Sequence, residues 1–194
     1  MTSGKPGNDR SLRELIDGAD ERGLAAAGLA CLDRCLPLLA ADRDDALRPA
    51  WAAVARADGA AWAEAVAEAR VELDAGDGGD GGDAAEAVRG MLASAPEAWS
   101  PESLRAWVGA CSGTALALHG RYDAAGADEG LVERCRAGDE DGAGPLLAGE
   151  LRRQRAVLES VAHGPTGLRR ARELSVEGGR VLRAVVSRRA RTTA

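Results

Sequence analysis

The chain has 194 residues and a net charge of −6; 45% of it is hydrophobic, but only 3% is aromatic and phenylalanine is absent. That hydrophobic share excludes global disorder. A core limited to Ala, Leu and Val with four Trp suits packed helices better than sheets, which favour β-branched and aromatic residues.

The polar start "MTSGKPGNDR" lacks a basic-then-apolar leader pattern. The uncharged stretch from residue 106 to 120 is shorter than the roughly 20 apolar residues a membrane span needs. A cytoplasmic protein with four reduced cysteines and no membrane contact is therefore expected. Lys5 is the only lysine, and the excess of Ala, Gly and Arg reads as the codon bias of a GC-rich bacterial genome. Charge is unevenly spread. Residues 145–194 carry eleven Arg against four Glu, which leaves −13 on residues 1–144.

In chain order, residues 1–10 read as a flexible tail. Ser11 and Glu14 have the spacing of a capping box. Leu24, Gly28, Cys31, Leu32, Cys35 and Leu39 then recur at helical spacing, with Pro37 and Pro49 expected to kink or restart helices. Trp62, Val66, Ala69 and Leu73 share one helix face, and Glu64, Glu68 and Glu72 lie opposite.

Residues 74–83 alternate Asp with Gly and resemble a calcium loop at first sight. An EF-hand from Asp74 would need oxygen ligands at its third, fifth and twelfth positions, where Gly76, Gly78 and Ala85 stand. A single copy of a calcium nonapeptide cannot form a site that stacked repeats make. The stretch reads as a flexible, solvated interhelical loop without metal, with Asp83 and Glu86 placed to start the next helix.

Ser100-Pro101-Glu102 is a further helix start. Residues 126–144 read as loop with one short helix, and helices are expected at 145–163 and 166–190, before a flexible end at 191–194. In the last helix Arg169, Arg172, Arg180 and Arg183 fall in one sector, opposite Leu168, Ala171, Leu174, Leu182 and Val185. Gly178-Gly179 in its middle suggests a kink. The whole predicts an all-α bundle of six to eight helices forming one domain over 11–190, or two halves, 11–73 and 84–190, joined by the 74–83 loop. "GADERGL" at 18 and "GADEGL" at 126 form a faint internal echo, as does "PLLA" at 37 and 145.

Candidate chemistry is sparse. No phosphate loop or dinucleotide fingerprint is present, and neither catalytic residues, a cofactor nor a metal is expected. Cys111 and His119 stand about 12 Å apart along one helix and cannot form a dyad. Cys31 and Cys35 read as core thiols, and His163 as a helix-end residue. Gly109, Gly113 and Gly120 either admit a close neighbour or leave a groove. In the second case Trp107, Cys111, Thr114, Leu118, His119 and Tyr122 would line a ligand site. The arginine stripe at 169, 172, 180 and 183 and the glutamate stripe at 64, 68 and 72 are expected to face each other, within one protomer or across a dimer. Three readings of function follow. The first is a non-enzymatic interaction or regulatory module whose partner is another protein or itself. The second is a small-ligand-binding protein, enzymatic or not, using the 107–122 groove. The third is nucleic-acid binding through the last helix, which the acidic body disfavours.

Overall fold

The computed structural model describes residues 10–39, 45–74 and 82–192. Among these the chain is all-helical, without a strand. The elements are α1 (Leu12–Asp17), α2 (Glu21–Cys35), a 3-10 turn (Leu36–Leu38), α3 (Arg48–Arg56), α4 (Gly59–Asp74), α5 (Gly82–Ala93), α6 (Pro101–Arg121), α7 (Glu129–Ala137), α8 (Pro145–Val161) and α9 (Pro165–Thr192). Among the described residues nine helices appear, not six to eight. The last helix also runs past the expected end at 190. The acidic glycine-rich reading falls mainly on 75–81, and the N-terminal tail on 1–9; both lie outside the described residues.

Local start signals act as the sequence implies. The Ser11 hydroxyl accepts from the Glu14 amide, and the Glu14 carboxylate accepts from the Ser11 amide at 2.7 Å. The Ser100 hydroxyl accepts from the Ser103 amide with Pro101 opening α6. Asp20 and Asp128 each cap a helix, so the repeated "GADE" is a repeated helix start. The two "PLLA" segments diverge: one leads through the 3-10 turn and the other opens α8.

α2 is the central element. Twelve of its fifteen residues are buried, because α6, α8, α9 and α3 pack around it. Its Ala and Gly content permits this crowding. A Cβ on Gly28 would lie 2.2 Å from the indole of Trp107, so α2 and α6 approach here only because the side chain is missing. Trp107, Trp62 and Trp99 form a chain of edge-to-face rings with centroids 5.6 and 5.7 Å apart. The buried indoles of Trp107 and Trp62 donate to the carbonyls of Met91 and Pro96. These contacts weld α4, α5 and α6 into the layer beside α2.

The α8–α9 hairpin is set by two glycines. Gly164 adopts a left-handed φ of 72° before Pro165, and a Cβ on Gly167 would fall 1.7 Å from the Ser160 carbonyl oxygen. α9 continues through Gly178 and Gly179 without a break. Gly178 makes room for Arg34, whose Cδ would stand 2.3 Å from a Cβ there.

Candidate functional site

The six residues expected to line a groove do not share one. Trp107, Cys111, Leu118 and His119 are buried in the core. Thr114 faces a shallow groove of about 450 Å³ between α6 and α7, and Tyr122 sits half-buried beyond the end of α6 under the Arg189 guanidinium. The three glycines of α6 divide in the same way. Gly120 serves close packing, since a Cβ would meet that of Ala127 at 2.5 Å, whereas Gly109 and Gly113 border the groove and face Arg136.

What His119 joins instead is a sealed polar cluster. Arg34 and Glu150 are both 0% exposed and form a bidentate pair. The Arg34 Nε donates to Glu150 Oε2 at 2.8 Å, and its Nη2 donates to Oε1 at 2.7 Å. Gln154, one turn on from Glu150, donates to Oε1 at 2.9 Å and accepts from the Ser112 hydroxyl at 2.7 Å. His119 Nδ1 donates to the Ala115 carbonyl at 2.8 Å. Its Nε2 stands 3.6 Å from Glu150 Oε2. Two groups of the cluster, Arg34 Nη1 and His119 Nε2, lack a hydrogen-bond partner among the described residues.

Electrostatics keep the central pair ionised. Burial pushes the Glu150 carboxyl up, but the Arg34 charge, His119 and the hydrogen bonds from Arg34 and Gln154 more than offset it, so the pKa lies below its ordinary value. Burial likewise opposes the Arg34 charge, and Glu150 outweighs that, raising the guanidinium's pKa. Since the members come from α2, α6 and α8, the cluster ties the central helix to two neighbours. Its closed position suits architecture and bars a substrate.

The thiols belong to the same interior. Cys31, Cys35, Cys111 and Cys135 are free and buried. Burial pushes Cys31 up to about 12, with Glu150 adding to the shift and Arg34 opposing it, and sends Cys35 and Cys111 well above their ordinary range. The folded protein is therefore expected to resist thiol reagents at about pH 8, with four cysteines reacting once it is unfolded. Rapid stoichiometric labelling of the native chain would contradict this. No cluster of three or more potential metal-ligating side chains occurs among the described residues, and no described helix is long and apolar enough to cross a membrane.

The surface carries the remaining candidates. Arg169, Arg172 and Arg180 are exposed along α9, Arg183 is half-buried, and the apolar residues read as opposite them, Leu168, Ala171, Leu174 and Leu182, are buried. The arginines at 169, 172 and 180, with Glu173 and Glu177, surround Val176 on the outer face of α9. Glu64, Glu68 and Glu72 are exposed along α4, as expected. The two stripes do not sit on packed neighbours: α4 packs on α3 and α5, and α9 on α2, α8 and the 3-10 turn. His163 follows the end of α8, where its Nδ1 donates to the Glu159 carbonyl at 2.9 Å. With Arg10, Asp20 and Leu158 it borders an open cleft of about 670 Å³. Compared with protein-family models, curated proteins and solved structures, the chain matches none.

Proposed function

We propose that this chain is a non-enzymatic helical module that works by binding a protein, and that the outer face of α9 is its binding surface. One observation carries the reading: Val176 is 45% exposed at the centre of an arginine-flanked patch on the outer face of α9. Arginine is enriched at protein interfaces, and Val176 adds exposed apolar surface among the arginines. α9 holds eight Arg against two Glu, a net +6, so a partner with acidic residues around an apolar side chain complements it. The closed interior supports the non-enzymatic side of the reading, because Cys111 and His119 have no solvent-facing surface from which to act.

The test is a photo-crosslinking residue at position 176 of the full chain in its native cells, with position 102, exposed at the start of α6, as control. The expected result is a covalent protein adduct at 176 and none at 102. Absence of any protein adduct would overturn the reading. So would tight RNA or DNA binding that falls steeply with salt and is lost on Arg172→Glu, because that behaviour marks a phosphate-binding face.

A further inference from the structure

We infer that the protein on the α9 face is a second copy of this chain, which docks the acidic face of its α4 there; this rests on reading α9 as a protein-binding surface.

Among the described residues, two large hydrophobic side chains are exposed, Val71 at 72% and Val176 at 45%. They lie in the two oppositely charged stripes. Val71 stands on α4 beside exposed Glu68 and in line with exposed Glu64. Val176 stands on α9 between exposed Arg172 and Arg180. The α4 stripe joins its apolar residue to glutamates, and the α9 stripe joins its own to three arginines and two glutamates, so the net charges are opposite. Because α4 and α9 pack on different neighbours within one molecule, both faces are presented outward. The acidic groups in the patch around Val176 are Glu173 and Glu177. Glu173 is already paired with Arg170 at 3.4 Å, and Glu177 lies within one turn of Arg180.

Charge also chooses the direction. With Val71 seated on Val176 and the helices antiparallel, Glu68 lies three residues from the contact and Arg180 four residues from it on the same side. At a rise of about 1.5 Å per residue these are roughly 4.5 and 6 Å along the axis, so the side chains meet. Glu64 then falls level with Arg183. A parallel arrangement would also bring Glu68 to Arg172 and Glu64 level with Arg169, but it would set Glu68 level with Glu173 and Glu72 level with Glu177, repulsions that the antiparallel one avoids. Each copy carries one face of each kind, and we place two such contacts reciprocally, closing a dimer about a two-fold axis and not a ring or filament.

The experiment is sedimentation equilibrium on the full-length protein, at concentrations up to about 100 μM. Wild type is expected to dimerise. Val176→Asp and Glu68→Arg are each expected to weaken the dimer at least tenfold while leaving the helical circular dichroism and melting curve intact. Arg180→Glu added to Glu68→Arg is expected to restore association to within a few-fold of wild type, which a variant that merely misfolds would not show. A monomeric wild type overturns the inference, as does a double variant no tighter than Glu68→Arg alone. The crosslink at 176 separates the two ideas. An adduct to a different protein leaves the binding module standing and removes the self-pairing, whereas no adduct removes both.

Discussion

Replacing Glu150 with leucine is expected to cost about 3 to 5 kcal/mol, because it strands the Arg34 guanidinium, 0% exposed, without its counter-charge. The loss belongs to the orphaned cation more than to the pair itself. Removing both charges, as in Arg34→Met with Glu150→Leu, should therefore recover most of the stability, since well-packed apolar replacements of a buried pair are often neutral or better. Urea unfolding of the two single variants and the double variant measures this directly. A Glu150→Leu protein as stable as wild type would show that the cluster contributes nothing. The acid limb supplies a second readout. The folded-state pKa of Glu150 lies below its ordinary value of 4.5, so its contribution is complete above that value and is lost as pH falls through the lower folded-state value. Stability should drop on acidification below about pH 5, less steeply in Glu150→Gln than in wild type.

Trp107→Ala is expected to be equally damaging, at about 3 to 5 kcal/mol. The indole fills the contact over Gly28, donates to Met91 at 2.9 Å and meets the Trp62 ring edge-to-face, so its removal opens a cavity and breaks a three-ring chain. Gly28→Ala tests the same contact from the other side. The new methyl must displace a ring held by these neighbours, and about 1 to 3 kcal/mol of overpacking strain should follow. If the two sites touch, a chain already carrying the smaller side chain of Trp107→Leu should tolerate Gly28→Ala far better than wild type does. Additive losses in that double-mutant cycle would argue against direct contact.

Much of the local structure was legible because it depends on neighbours in sequence. The Ser11–Glu14 box, the Ser100-Pro101 start, and the buried face of Trp62, Val66, Ala69 and Leu73 are all set within a few residues. The interior chemistry was not legible in this way, since Arg34 and Glu150 are 116 residues apart. A signal did exist. Leu147, Leu151 and Leu158 define a buried face of α8, and Glu150 and Gln154 stand on it at helical spacing. Polar residues at core positions announce a partner without naming it. The face of α6 that carries Trp107, Cys111 and Leu118 is not an open wall. α6 is covered on several sides, so most of that face is core and only Thr114 reaches the α6–α7 groove. Asp123 shows the same limit of range. Gly144 precedes α8 and has no side chain to cap it, and the Asp123 carboxylate accepts from the Leu146 and Leu147 amides instead, at 2.9 and 3.0 Å.

The passage of Arg34 over Gly178 bears on how helices built so largely from alanine find a unique alignment. Small side chains repeat along α2 and offer many nearly equivalent seats to a neighbour that slides along it. The arginine arm removes that equivalence, because it fits only where α9 has no Cβ. A slip of one turn, about 5.4 Å, would set Leu174 or Leu182 against the arm. Since Glu150 clamps the far end of the arm from α8, the guanidinium works as a bolt through three helices, and the alanines around it are left free to pack without having to specify where.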